Sequence, residues 1–389
     1  MKIHSHFLTK NTGEPLFLKA ETAWGALHKL QLPDFERLLD ARKSLGFNAI
    51  HLQIVDREIG GSANFHGEEP FHNDDFSRPL EPYWRYADQF VEAITSREMI
   101  PVLATQWWGP GGWLPFLTPQ NCTDFGRFLG ERYAHLHDVL WIHAGDRSPY
   151  GGEQILARNL ARALQNVAPN GLHTVHNGHE QPSAFWYHDD SDWLGINAAY
   201  TYDYAYKQVL AERGRSESPV YLIETGYEAE ASGGRTDEAV YSPFYLRRQA
   251  WGAFLAGASG HAIGHHQIWQ FKDDWMGALE APGARSMQFL HELADELAWP
   301  TMKSDHENRI VRNSPRFGSK WYVSAAIGED FFAAYLPQIQ DLQLDGASVP
   351  FRDGFWLRAE NGERTGARFD GEIVKAPRGW NGDAVLILR

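Results

Sequence analysis

Cysteine is almost missing from this chain. Cys122 stands alone among 389 residues, so no intrachain disulfide can form and packing must hold the fold together. No apolar run approaches the roughly 20 residues that a membrane-spanning helix needs. Basic clusters are wanting too: 36 lysines and arginines face 50 acidic residues, for a formal net charge of −14. Phosphate backbones and anionic bilayers repel such a chain, which excludes nucleic acid and membrane surfaces as expected partners. The first residues, Met1-Lys2-Ile3-His4-Ser5-His6, lack the apolar core of a secretory signal. As written, the chain is expected in the cytoplasm, or in the periplasm or outside the cell if a leader has been removed.

Aromatic residues, by contrast, are plentiful, with 15 Trp, 15 Tyr and 22 Phe. Most belong in a core, but loop tryptophans are also what a sugar cleft uses to stack on the faces of pyranose or furanose rings. Their setting is an alternation of short apolar runs and helical periods. Runs at Pro15–Ala20, Phe47–Val55, Ile100–Thr105, Val139–Asp146, Leu172–Asn177, Asp192–Asn197, Pro219–Glu224 and Ser259–Gly264 read as strands. Between them, segments such as Pro33–Leu45, Tyr83–Glu98 and Ala239–Gly257 carry helical spacing. Eight strand–helix units over about 300 residues fit a (β/α)8 barrel, a parallel sheet closed on itself and covered by helices.

The pattern changes after Trp299-Pro300. Short aromatic or β-branched runs at Lys320–Ala326, Asp330–Leu336, Phe355–Ala359 and Ala384–Leu388 are divided by turn pairs such as Asp353-Gly354 and Asn381-Gly382. The expected organisation is a catalytic barrel over residues 1–300 and a small all-β sandwich over 301–389 that packs against it.

Two barrel strands end on acids. Pro219-Val-Tyr-Leu-Ile-Glu224 and Val139-Leu-Trp-Ile-His-Ala-Gly-Asp146 are apolar until a carboxylate appears at the C-terminal end. A carboxylate placed there loses hydration at a cost, and the C-terminal face is where barrels of this kind carry their chemistry. Strands four and seven face one another, so two carboxylates can share a site, as glycoside hydrolysis requires. Glu224 is assigned as nucleophile and Asp146 as acid/base, with Arg147 or another polar neighbour tuning the proton. Other residues expected at the strand ends are Glu21, Trp24, His28, Gln53, Asp56, Trp107, Trp108, Asn197, Tyr200, His265 and Trp269. Carboxylates, aromatics and amides without a phosphate cradle describe a carbohydrate site. The chemistry needs neither cofactor nor metal.

Taken together, Ala20-Glu-Thr-Ala-Trp24 with His28, Gly46-Phe-Asn-Ala-Ile50, Ala144-Gly-Asp146, Tyr221-Leu-Ile-Glu-Thr-Gly226 and Gly264-His-His-Gln-Ile-Trp269 resemble the DUF4038 or apiosidase-like barrel family, similar to glycoside hydrolase family 140. The C-terminal part resembles the β-sandwich that follows such barrels and is named for collagen binding. The resemblance implies a retaining hydrolase of plant cell-wall glycans, with apiose in pectin side chains as a candidate target. It places the catalytic Asp and Glu on Asp146 and Glu224. Glu21 stands where that family would have Asp, a departure that bears on the apiose specificity.

Two other readings compete. His4-Ser5-His6 has the spacing of a metal-ligand pair and could serve a metal-dependent barrel hydrolase, but it precedes the first barrel strand. An aromatic cleft without turnover would instead make a glycan-binding protein.

Overall fold

The computed structural model describes residues 1–389. Eight parallel strands form one sheet: β1 (Leu18–Thr22), β2 (Ala49–Gln53), β3 (Ile100–Ala104), β4 (Leu140–Ala144), β5 (Leu172–His176), β6 (Asn197–Tyr200), β7 (Val220–Glu224) and β8 (Gly260–Ile263). They are hydrogen-bonded in the order β5-β4-β3-β2-β1-β8-β7-β6. The sheet closes where the backbone N–H groups of Gly195 and Ile196 donate to His173 O at 3.1 and 3.2 Å. Helices α1 (Leu32–Ser44), α2 (Glu81–Thr95), α3 (Pro119–Tyr133), α4 (Gln154–Val167), α5 (Ala205–Arg213), α6 (Pro243–Leu255) and α7 (Pro282–Glu296) cover it. Between β5 and β6 the helical layer shrinks to one turn, Ser183–Trp186.

Both faces of the strands are buried, which explains why they read as continuous apolar runs. Leu18, Ala20, Ala49, Val102, Leu140, Ile142, Ala198 and Ala262 fill the barrel interior. Their neighbours Ile50, Leu52, Leu103, Trp141 and Val175 point the other way, into the layer between sheet and helices. A hairpin from the N-terminus, Lys2–His4 with Phe7–Thr9, plugs the N-terminal end of the barrel by adding Met1, Leu8 and Leu16 to the interior cluster. The His4/His6 pair therefore lies at the end away from the carboxylates, with His6 Nε2 3.1 Å from Pro300 O.

The C-terminal strands are antiparallel. β9 (Ser324–Ile327), β10 (Phe332–Leu336), β11 (Gly354–Arg358) and β12 (Ala384–Leu388) lie in a six-stranded sheet, with β12 between β10 and β11. A three-stranded sheet of Leu342–Gln343, Arg368–Asp370 and Ile373–Lys375 packs over one face, around Phe332, Trp356, Val374 and Leu386. The other face, with Ala333, Tyr335, Leu357, Val385 and Ile387, merges with the helical core of the barrel. The junction is not only apolar. Arg247 on α6 donates from Nε and Nη2 to both oxygens of Asp383 at 2.8 and 2.9 Å, and the Tyr335 hydroxyl donates to the same carboxylate at 2.9 Å. All three groups are buried, so each charge depends on its partner.

Candidate active site

Glu224 reaches the interior through a local irregularity. Along β7, Tyr221 and Ile223 join the barrel interior, while Leu222 packs outward beneath α5 and α6. Strict alternation would turn Glu224 outward as well. The register with β6 slips here: Leu222 pairs with Ala199, and Glu224 with the very next residue, Tyr200. One extra residue on β7 is a bulge, which re-aims the side chain that follows it. Glu224 thus ends on the same side as the inward Tyr200.

Asp146 is delivered by a different device. After β4 the backbone passes through positive φ at Ala144 (62°), Gly145 (154°) and Asp146 (49°). Only glycine fits the middle position, because a Cβ there would lie 2.2 Å from Cε3 of Trp107. The indole of Trp107 lies against this turn, and Asp146 emerges past it.

A single imidazole then joins the two acids. The backbone N–H of Asp146 donates to Nδ1 of His176, the last residue of β5, at 3.1 Å. That nitrogen must therefore be unprotonated, so Nε2 carries the proton, and it donates to Oε2 of Glu224 at 2.8 Å. The His176 side chain is fully buried, and Glu224 is only 7% exposed. Burial works against a charged His176 ring, but the Glu224 hydrogen bond and charge outweigh it and raise its pKa. Asp146 is held above the ordinary carboxyl range, first by burial and then by the negative charge of Glu224. His176, the Tyr200 phenol and His179 partly offset this. One acid biased toward its protonated form beside a hydrogen-bonded carboxylate is the division of labour that glycoside cleavage uses.

Aromatic rings surround the pair. The Trp24 ring lies 4.7 Å from His51, 5.7 Å from Trp107 and 6.0 Å from His176, and its Nε1–H donates to Tyr227 OH at 2.7 Å. Tyr200 packs 4.8 Å from His176 and shares a 2.6 Å hydrogen bond with Tyr202 OH. Half-buried Trp269 sits 5.8 Å from Tyr227. Two further acids belong to this neighbourhood. Glu58 is pushed up to about 7 by burial and by Asp146 and Asp56, and Glu230 to about 7 by burial and Glu224.

The structure therefore brings Asp146, Glu224, Trp24, Gln53, Trp107, Tyr200 and Trp269 to one end of the barrel. Gln53 closes β2 on its inward side, with its buried Oε1 unpartnered. Other expected residues turn their side chains to other surroundings, each for a physical reason. Glu21 points outward and accepts from Arg42 Nε of α1 at 2.5 Å, so it ties sheet to helix. Trp108 is in the core outside the barrel, leaving Trp107 alone at the site. His28 is buried beneath the β2 loop, its Nδ1 3.0 Å from Ala63 O. Asp56 accepts the backbone N–H groups of Glu58 and Ile59 at 2.9 and 2.8 Å, so its oxygens shape its own loop. Arg147 makes a two-pronged pair with Glu153, at 2.5 and 3.1 Å, instead of facing Asp146.

Asn197 is a correction of strand boundaries. The run Asp192–Asn197 reads as strand six, but residues 191–193 form a turn and β6 begins at Asn197. Asn197 thus occupies the opposite end from the acids, pointing away from the inward Ala198. His265 turns back on its own loop, where Nδ1 accepts from Gln267 N at 3.2 Å. Its neighbour His266 is the one beside Glu230, 3.9 Å away. His176, Tyr227, Glu58 and Glu230 were not among the expected residues. For His176 the signal was present: it closes a buried strand, as Glu224 closes β7.

Comparison with known proteins identifies the family and the fold. The family described as "Apiosidase-like, catalytic domain" matches residues 3–301. A glycoside hydrolase family 5 structure from Bacteroides vulgatus ATCC 8482 superposes with a TM-score of 0.87 at 22% identity, covering 99% of this chain and 92% of that one. Another, described as a glycoside hydrolase, gives 0.88 at 21% identity, covering 99% and 95%. An exo-beta-1,4-mannosidase from Opitutaceae bacterium strain TAV5 gives 0.54 at 14% identity, covering 76% and 63%. At these identities the likeness is one of fold, and for the first two it spans barrel and sandwich together. No curated protein matches the sequence.

Proposed function

The chain belongs to the apiosidase-like family of glycoside hydrolases, and from that premise we propose that it cleaves plant cell-wall glycans by double displacement with retention of configuration. The observation that carries the reading is the His176 bridge between the Asp146 backbone and the Glu224 carboxylate. It holds both acids at the C-terminal mouth of one barrel, on strands separated by β5 and β6. In the first step Glu224 attacks the anomeric carbon while Asp146 gives its proton to the leaving oxygen. In the second, Asp146 takes a proton from water as that water displaces Glu224 from the sugar. His176 donates to Oε2 of Glu224, which fixes the carboxylate and leaves the other oxygen for attack. Trp24, Trp107, Tyr200 and Trp269 supply the walls for stacking and exclude water. Apiose in pectin side chains is the first sugar to try. Residues 1–300 act as the catalytic unit, with residues 301–389 as its support.

The test begins with aryl furanosides and pyranosides and with pectic oligosaccharides as substrates. Wild-type turnover, with Glu224→Gln lower by several orders of magnitude and still folded, is the expected result. NMR of the first product formed should show the anomeric configuration of the substrate. An inverted first product would overturn retention, and unimpaired Glu224→Gln would overturn the site.

A further inference from the structure

Three aromatic side chains on the loops that follow β4 and β5 leave much of their surface to solvent, although Trp186 also packs against the core. Tyr150 is 56% exposed and Phe185 61% exposed, and half-buried Trp186 lies between them. The Trp186 ring is 5.5 Å from Tyr150 and 5.2 Å from Phe185, edge to face in both cases. Edge-to-face packing leaves ring faces open to solvent, an arrangement that costs hydration free energy unless something covers it. Beside the rings runs a groove of about 510 Å³, whose lining adds Gln154, His188 and Arg215 to Phe185 and Trp186. Open aromatic faces flanked by planar hydrogen-bonding groups suit a sugar ring, which has an apolar face and an equatorial rim of hydroxyls.

The position of this shelf selects which sugar. Tyr150 is four residues after Asp146 on the same loop, and the Trp186 turn is on the loop that follows His176. The two loops are joined where Gly178 N–H donates to the Ser148 hydroxyl at 3.3 Å. Tyr150 is steadied by the Arg147 guanidinium 5.3 Å from its ring centroid, itself clamped by Glu153. A general acid lies on the leaving-group side of the bond it cleaves. A surface continuous with the acid/base loop therefore lies on the path of the leaving-group chain. We infer that Tyr150, Phe185 and Trp186 form a stacking subsite for the glycan units on the leaving-group side of the scissile bond. The inference rests on Asp146 being the acid/base. It means that the enzyme reads the chain it releases as well as the sugar it removes.

The experiment compares wild type with Trp186→Ala and Phe185→Ala on two substrates of one glycone: an aryl glycoside, whose leaving group is too short to reach the shelf, and a pectic oligosaccharide. The expected result is that kcat/KM on the oligosaccharide falls by about 10-fold, mostly through KM, while the aryl glycoside changes less than about twofold. Equal losses on both substrates would mean a structural role, and no loss on either would mean no subsite; each overturns the inference. Affinity electrophoresis of Glu224→Gln in gels containing pectin, galactomannan or arabinoxylan gives a readout free of turnover. Retardation by one polymer that Trp186→Ala abolishes supports the subsite. Retardation untouched by Trp186→Ala removes the subsite and leaves the catalytic reading standing, whereas a wild type inactive on every substrate sinks the catalytic reading itself. A dimer in solution that Phe185→Ala dissociates would show that a second copy covers this face and would also overturn the inference.

Discussion

The hydrogen bond from His176 to Glu224 has its direction set by Asp146. Because Nδ1 already accepts the Asp146 backbone N–H, only Nε2 can carry the proton, and it points at the Glu224 carboxylate. Three strand ends, those of β4, β5 and β7, are thereby held in one register by a side chain that need not touch substrate. The imidazole is fully buried, which shields its nitrogens from competing water.

Replacing His176 by Phe should lower kcat about 10- to 100-fold with little change in KM, because a misplaced nucleophile costs the chemical step more than binding. The pH profile separates positioning from mere destabilisation. His176 partly lowers the pKa of Asp146, so its loss should move the alkaline limb of kcat upward in pH. His176→Gln, able to keep one of the two bonds, should recover part of the rate. An unshifted limb would argue for a structural role alone.

Asp146 can be titrated directly. Burial and then the Glu224 charge raise its pKa, so Glu224→Gln removes the second cause and should lower it. Carbon-13 NMR of labelled aspartate reads this without turnover. A pKa that stays put in Glu224→Gln would mean that the two acids do not sense each other.

The strand and helix order was legible because apolar runs and helical periods are local signals. The two acids were legible because a charge at the end of a buried strand is conspicuous. Which way an interior side chain points was not legible. β1 is buried on both faces, so the sequence carries no alternation to show that Glu21 faces Arg42 while Ala20 faces the interior. The bulge that turns Glu224 inward is likewise invisible, since it consists in a register between two distant segments. Asn197 was misplaced because Trp193 and Leu194 are as apolar as strand residues, although they belong to the turn and loop before β6. Cross-strand partners such as His176 with Glu224 belong to the closed barrel, and only the fold brings them together.

Glu212 on α5 makes stability depend on pH in an unusual direction. Its carboxyl is buried and accepts the Ser183 N–H at 3.0 Å, and burial outweighs that bond to raise its pKa to about 7. The folded value lies above the unfolded one, near 4.3. The group's contribution is therefore fully present below the unfolded value and is lost as pH rises through about 7. Glu212→Gln should narrow the stability difference between pH 5 and pH 8 by up to about 3 kcal/mol. Denaturant midpoints for both proteins at the two pH values check this, and an unchanged difference contradicts it.

The sandwich should unfold together with the barrel. Asp383 is buried between Arg247 and Tyr335, so Asp383→Asn leaves the Arg247 charge uncompensated and should cost about 3 kcal/mol or more. Calorimetry should show one transition in the wild type and a lower one in the variant. Two well-separated transitions in the wild type would mean that the domains are energetically independent.

The division of roles between the two acids is tested most directly by azide rescue on an aryl glycoside with a good leaving group. With Asp146→Ala, azide should restore turnover and give a glycosyl azide of retained configuration, because it attacks the intermediate formed on Glu224. With Glu224→Ala it should give the inverted azide by attacking the substrate itself. Rescue with the two configurations exchanged, or no rescue in either variant, would contradict the account.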